Sequence, residues 1–132
     1  MNIAIPVWEG KVSPLFDTAS RLLVFQTEQK LECSRFETLI DEEDITGKCL
    51  NIQKLGIDTL ICGAISKHFY MMLRSVCEIS VIPWISGRCE DVLLAYLGGS
   101  LNNSKYLMPG CRWEKGSPDN DEVFKERKDE QK

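Results

Sequence analysis

Two strand–turn–helix units follow one another in the second half of the chain, and this order constrains the fold more than any other feature. In the first unit, an apolar run over residues 57–62 is followed by a glycine turn and then by apolar residues at helical spacing. In the second, a short apolar strand over 79–82 leads through a loop to a helix over 88–97. Consecutive strands that are joined by a helix pair in parallel through a right-handed crossover. These units therefore predict a parallel half-sheet.

The first half of the chain predicts antiparallel strands and one helix. Residues 3–7 alternate large and smaller side chains, which is typical of a mostly buried strand. Two further strand-like runs, 21–27 and 32–39, are joined by three polar residues and predict a hairpin. Asp44 is placed to cap a helix that Gly56 ends. Together, the two halves predict a mixed α/β sheet with helices on both faces.

Length and composition predict one domain and argue against several classes of protein. It has 132 residues, 43% of them hydrophobic, which is enough for one ordinary core. Its apolar stretches are shorter than the roughly 18 residues that suggest a membrane span, and the N-terminus has no signal-type pattern. We therefore expect a cytoplasmic protein that binds no membrane. The net charge of -4 argues against a general nucleic-acid surface.

The composition changes after Leu101. Residues 114–132 are charged and almost free of apolar side chains. Such a segment cannot bury enough surface to offset the entropy cost of ordering it. We expect a domain over residues 1–101 and a C-terminal extension over 102–132 that is largely disordered after about residue 112.

The six cysteines lack the spacing of a metal or redox motif. The closest two, Cys77 and Cys89, are twelve positions apart, so the chain has no CxxC pair. Cys49, Cys62 and Cys77 follow the apolar patterns of predicted elements, and we expect them to be core residues in the reduced state. The cysteines that we expect to be accessible are Cys33, Cys89 and Cys111.

Three predicted loops meet at the edge formed by the carboxyl ends of the parallel strands. In open α/β sheets, ligands bind in the crevice at this edge, where neighbouring connections leave to opposite faces. Here the crevice lies between the first strand and the strand ending at Cys62, beside loops 8–16, 63–68 and 84–89. Two of these loops open helices, whose free N–H groups and positive dipole ends favour an anion. The residues that we expect to bind it are Trp8, Ser13, Phe16, Gly63, Ser66, Lys67, Ser86, Gly87 and Arg88, with His68 as a candidate metal ligand.

Most of these residues also have a structural interpretation, and the sequence leaves both open. Ser66 and Ser86 can cap helices, and Gly63 and Gly87 can permit tight turns. Trp8 and Phe16 can be ordinary core residues, and the two cations can simply be solvated. His68, the one histidine of the chain, can be a neutral surface imidazole.

Four segments of the chain carry a family resemblance. They are Ile3–Val7 (IAIPV), Val12–Phe16 (VSPLF), Asp58–Gly63 (DTLICG) and Asp91–Leu97 (DVLLAYL). Together they resemble the dinitrogenase iron-molybdenum cofactor biosynthesis family, which includes NifX-type proteins, the C-terminal domain of NifB-type proteins and small stand-alone members similar to orange proteins. The resemblance covers residues 1–101. It implies a ribonuclease H-like three-layer fold, with a five-stranded mixed sheet in the order 3-2-1-4-5 and strand 2 antiparallel.

The resemblance also implies a binding or carrier protein and not an enzyme. The expected cargo is an iron-molybdenum or other metal-sulfide cluster, and the expected partners are cofactor-assembly proteins. Many relatives have a histidine in the second segment where this chain has Leu15, so a cluster ligand at that position does not carry over. His68 on a neighbouring loop is one replacement. The alternative function is a metal-free regulatory or adaptor domain that binds a protein partner.

A ribonuclease H-like fold is also compatible with a nuclease. Such enzymes cluster several carboxylates around two divalent metal ions. Glu9, Asp17 and Asp58 lie near the ends of predicted strands, but residues 3–7 place no acid in the centre of the first strand. We therefore expect no nuclease activity.

Overall fold

The computed structural model of the chain describes residues 1–40, 44–101 and 104–108. Within these residues the strands are β1 (Asn2–Trp8), β2 (Lys11–Val12), β3 (Arg21–Glu28), β4 (Leu31–Leu39), β5 (Thr59–Ile61) and β6 (Ser80–Ile82). The helices are α1 (Ile45–Lys54), α2 (Lys67–Ser75) and α3 (Cys89–Leu97), and two 3-10 turns span Phe16–Thr18 and Ser104–Tyr106. No helix in this part of the chain is long and apolar enough to span a membrane. The predicted α/β class is confirmed.

The strands form one open mixed sheet whose main path is β4-β3-β1-β5-β6. Strand β3 is antiparallel to both of its neighbours, whereas β5 is parallel to β1 and to β6. Numbered among themselves, the five strands on this path have the order 3-2-1-4-5. The predicted hairpin and the predicted parallel half-sheet are therefore both present.

Strand β2 gives the sheet a sixth strand, where five were expected. The turn before it has positive φ at Glu9 (53°) and Gly10 (77°), which is the geometry of a tight hairpin turn. The chain then pairs back onto β1, with Val12 opposite Val7. The sequence predicted a loop over residues 8–16 and not this strand, because two residues are too few to show a periodic pattern.

Local signals set the ends of α1 and of the long hairpin. The Asp44 side chain accepts a hydrogen bond from Gly47 N at 2.7 Å and caps α1, as predicted. Gly56 follows the helix with a φ of +70°, a conformation that favours glycine. Between β3 and β4, Gln29 and Lys30 both have positive φ, so the turn matches the right-handed twist of its strands.

The sheet separates two cores, and alternate side chains of its strands supply them. Ala4 and Leu60 face a core built with α1 and α2, whereas Ile5 and Ile61 face a core built with α3. Each fully buried Leu or Ile side chain stabilises the fold by about 1.5–3 kcal/mol. Helices therefore cover both faces of the sheet, as expected.

The cysteines follow the prediction with one exception. Cys49 and Cys62 are buried, Cys77 is half-buried against the same core, and Cys33 is exposed. The expectation that Cys89 is accessible is wrong, because it is 2% exposed and packs in the α3 core. Its burial raises the pKa of the thiol to about 11. Cys111 lies outside the described residues.

Residues 104–108 lie against the domain beyond Leu101, where the sequence placed the domain's end. Leu107 is buried and forms a bridge with Ile85. Met108 N donates a hydrogen bond to Trp84 O at 2.8 Å. The extension predicted to be disordered after about residue 112 lies outside the described residues.

Candidate functional site

The three predicted loops lie together at the carboxyl edge of β1, β5 and β6, where backbone hydrogen bonds join them. Phe16 N donates to Ala64 O at 2.8 Å, and Ala64 N donates to Pro14 O at 2.9 Å. Val12 N donates to Gly87 O at 2.9 Å and so joins the first loop to the third. The edge is therefore held by main-chain bonds and does not depend on side-chain contacts alone.

Gly63 lets the first loop lie directly on the second. A Cβ atom at this position would be 2.7 Å from Ser13 O and 2.8 Å from Pro14 O, which is closer than such atoms pack. Leu15 and Ala64 also form a parallel bridge across the same gap. The crevice predicted between β1 and β5 is thus filled by the backbone of the chain itself. Gly63 has a structural role there.

Phe16 belongs to the core and does not form an exposed wall, so its predicted binding role is corrected. It is fully buried, and its ring stacks on Phe69 with centroids 4.8 Å apart and planes 12° apart. Trp8, in contrast, is 60% exposed. Of these two aromatic residues, Trp8 is the one that can contact a ligand or a partner.

The start of α2 is already served by groups of the protein. Ser66 Oγ accepts a hydrogen bond from Phe69 N at 3.3 Å, which makes Ser66 the helix cap. The Asp17 carboxylate accepts a hydrogen bond from Ser66 N at 2.8 Å, so an internal anion lies at the positive end of this helix. Lys67 and His68 follow as exposed residues. An external anion would have to compete with Asp17 here.

Lys48 holds the loop that carries Asp17. Its side chain is 5% exposed, and Nζ donates hydrogen bonds to Asp17 O and, at 3.2 Å, to Ala19 O. Burial lowers the pKa of Lys48, and the nearby Asp17 carboxylate opposes part of this shift. Sequence reasoning missed Lys48, because no local pattern links residues 31 positions apart. Its place on the buried side of α1, next to Cys49, is the only sequence signal.

Two shallow cavities flank the closed centre of the edge. The first has a volume of about 430 Å³ and lies between Trp8 and the loop 13–20. Its exposed apolar groups include Trp8 and Leu15, which is 40% exposed. Ser13 also lines it, but the residue is 8% exposed and its N–H is bonded to Pro6 O at 2.8 Å. This flank presents apolar surface.

The second cavity lies at the start of α3 and has a volume of about 500 Å³. Its lining residues are Ser86, Gly87, Arg88, Asp91, Lys105 and Tyr106. Arg88 is the N-cap residue of α3, and its side chain makes no capping hydrogen bond. Gly87 has a φ of +123°, a conformation that favours glycine at the turn into the helix. Two cations, one carboxylate and the positive end of a helix therefore meet around this cavity.

Ser86 does not cap α3, so this structural interpretation of the residue is wrong. Its N–H donates to Tyr106 O at 2.7 Å, and its Oγ donates to Leu107 O at 3.4 Å. Ser86 instead fastens residues 104–108 to the loop after β6. The serines before α2 and α3 look alike in sequence, and only the position of this later segment separates their roles.

His68 lies exposed at the start of α2, and its role as a metal ligand stays a prediction. Among the residues that the structure describes, no group of three or more His, Cys, Asp or Glu side chains is placed to hold a metal ion. Cys62, directly after β5, is fully buried, and burial raises the pKa of its thiol.

Solved structures include several that are similar to this chain. The crystal structure of PH0822 matches with a TM-score of 0.70 and 22% identity, over 76% of this chain and 93% of that one. A "putative dinitrogenase (MJ0327)" from Methanocaldococcus jannaschii matches with a TM-score of 0.60 and 21% identity, over 76% of this chain and 90% of that one. The NMR structure of a protein of the same name, from Methanococcus jannaschii, has a TM-score of 0.59 and 23% identity, over 75% and 88%.

At these identities the likeness shows the fold alone. No protein-family model matches the chain. No curated protein matches its sequence.

Proposed function

We propose that this chain is a non-enzymatic carrier for an anionic metal-sulfide cluster and belongs to the dinitrogenase iron-molybdenum cofactor biosynthesis family. The proposal includes the ribonuclease H-like classification of the fold. Two observations support the family: the four sequence segments that resemble it, and the similar fold of proteins named as dinitrogenases. Cytoplasmic cofactor-assembly proteins are the proposed donors and acceptors of the cluster.

The observation that carries the proposal is the cavity at the start of α3. Arg88 and Lys105 supply positive charge there, and the helix end adds a positive dipole. The negative charge of Asp91, which also lines the cavity, weakens the attraction between the cavity and an anion. The first turn of α3 also carries acids, Glu90 and Asp91, but within the described part of the chain neither is bonded to the helix start as Asp17 is bonded to Ser66 N at α2. Because Arg88 and Lys105 line the α3 cavity, it is the better place on this edge for an external anion.

The experiment is a titration of the full chain with tetrathiomolybdate, followed by absorbance and calorimetry under anaerobic conditions. We expect the double variant R88Q/K105Q to bind roughly tenfold more weakly, which is about 1.4 kcal/mol, because both cations are exposed and each contributes little. The matched control is K30Q/K54Q, which changes the net charge equally. Lys30 lies in the β3–β4 turn and Lys54 at the end of α1, and both are at the opposite edge of the sheet.

Equal affinity of R88Q/K105Q and the parent would contradict the site. An equal loss in the control variant would show that only net charge matters. Variant H68A tests the metal-ligand prediction separately, because a direct imidazole ligand changes the absorption spectrum as well as the affinity.

The second candidate is a metal-free adaptor, and the first cavity favours it. Trp8 is 60% exposed and Leu15 is 40% exposed, and both lie on the main-chain-bonded edge described above. Exposed tryptophan on a rigid surface is typical of protein interfaces. If the parent protein binds no thiomolybdate at all, the adaptor becomes the favoured function.

A further inference from the structure

A second feature lies away from the loop edge, at the contact between α1 and the end of α2. Cys49 lies in α1, and Cys77 comes two residues after α2. Cys77 Sγ donates a hydrogen bond to Cys49 O at 3.7 Å. Cys77 Sγ therefore lies against the backbone of Cys49. Two cysteines that are 28 positions apart in the sequence are thus in direct contact in the fold.

The two thiols differ in access and in acidity. Cys49 is 3% exposed, whereas Cys77 is half-buried. Burial raises the pKa of Cys49 to about 12 and also raises the pKa of Cys77. The interaction between the two side chains acts oppositely on them: it raises the pKa of Cys49 and lowers that of Cys77. Cys77 is therefore the thiol that solvent reaches and that ionises more easily.

We propose that Cys49 and Cys77 are a redox pair that forms an intramolecular disulfide between α1 and the end of α2 when the protein meets a small-molecule disulfide oxidant. The Cys77 thiolate attacks one sulfur of the oxidant, a mixed disulfide forms, and the oxidant's own S–S bond breaks to release one thiolate. The Cys49 thiolate then attacks the Cys77 sulfur and releases the second thiol. Two protein thiols are oxidised, one oxidant disulfide is reduced to two thiols, and the two protein protons end on the released thiols.

The other described cysteines lie in different surroundings. Cys33 is on the exposed edge strand β4, where it can form a mixed disulfide with the oxidant. Cys62 and Cys89 are at most 2% exposed, and burial raises the pKa of each thiol, so they react slowly. The structure therefore predicts one internal disulfide with defined partners. This inference is independent of the proposed carrier function.

The disulfide should stabilise the fold measurably. It closes a chain segment of 28 residues and so removes conformational freedom from the unfolded state. For a domain of this size, we expect the melting temperature of the oxidised form to rise by roughly 10 °C. Full reduction should return it to the starting value.

The test uses the full chain, purified reduced and incubated in its folded state with oxidised glutathione. Remaining thiols are then alkylated in denaturant, and the peptides are mapped by mass spectrometry. We expect a Cys49–Cys77 linked peptide in the parent and, as a matched control, in C33S/C111S. The linked peptide and the rise in melting temperature should both be absent from C77S.

Either of two results would overturn the proposal. One is the absence of the Cys49–Cys77 peptide from C33S/C111S after prolonged oxidation while its circular dichroism stays native. The other is preferential linkage of Cys77 to another cysteine in the parent. C77S replaces the half-buried member of the pair, so it tests the bond without disturbing the buried side of α1. C49S would disturb that buried side.

Discussion

The close approach at Gly63 gives the sharpest test of how the loop edge is built. Replacing this glycine by alanine adds a Cβ atom 2.7 Å from Ser13 O and 2.8 Å from Pro14 O. Both neighbours are backbone atoms, so no side-chain rotation can relieve the contact. The first loop must move away from β5, or β5 must move away from the loop.

The cost of that movement follows from the contacts it disturbs. The bonds from Phe16 N to Ala64 O and from Ala64 N to Pro14 O each stabilise the fold by about 1 kcal/mol. Overpacking increases the loss of stability by about 1–3 kcal/mol. Alanine reduces the loss by about 0.4–1 kcal/mol, because it restricts the unfolded chain more than glycine does. The net expectation is a loss of about 3 kcal/mol in the free energy of unfolding, out of a total of 5–15 kcal/mol for an ordinary domain.

Urea unfolding of the G63A variant, followed by circular dichroism and tryptophan fluorescence, measures this loss. The matched control is G98A at the end of α3. Gly98 has an ordinary negative φ of -86°, and its added Cβ would lie 3.3 Å from Leu94 O, which is a tight but tolerable contact. We expect G98A to remain within about 0.5 kcal/mol of the parent. A G63A variant as stable as G98A would refute the reasoning, because the loops would then move apart with no loss in the free energy of unfolding.

Two further predictions concern side chains at the same edge. The S66A variant should lose about 1 kcal/mol of stability because it removes the α2 cap, whereas S86A should lose less because its hydroxyl caps no helix and its N–H bond to Tyr106 O remains. Equal losses in a denaturant titration would contradict the different roles of the two serines. Since the pKa of Lys48 is lowered in the fold, the unfolded chain binds more protons below the ordinary value of 10.5. The free energy of unfolding of the parent should therefore rise relative to K48M as the pH increases through the alkaline range below that value, and parallel stability curves for the two proteins would contradict burial of a charged Lys48.

Local patterns predicted those parts of the fold that depend on local chemistry. Asp44 and Gly56 bound α1 because a capping carboxylate and a left-handed glycine act within one turn of chain. The β3–β4 hairpin follows from two strand-like runs separated by a short polar turn. Cys89 was also within reach of this reasoning, because it lies on the helical stripe of Val92 and Leu93.

The parts that could not be predicted depend on contacts between distant segments. The sequence places Ser66 and Ser86 in equivalent positions before their helices. Only Ser86 bonds to residues 104–108, and this contact gives it a different role. It shows that Gly63 permits a turn, yet only the structure shows that another loop's backbone lies against it. Periodicity describes how one segment presents its faces and carries no information about which segment covers them.

The closing of the central crevice determines how the edge can be used. In this fold a ligand would be expected between β1 and β5, where the chain connections diverge. Here the loops bond across that point, and Asp17 lies at the start of α2, so the crevice and one helix end are both occupied by the protein. Among the residues that the structure describes, this edge also presents an apolar flank around Trp8 and a charged flank around Arg88. An apolar flank suits a protein surface and a charged flank suits an anion, so the two proposed functions draw on different sides of one main-chain-bonded edge and can be tested by separate variants.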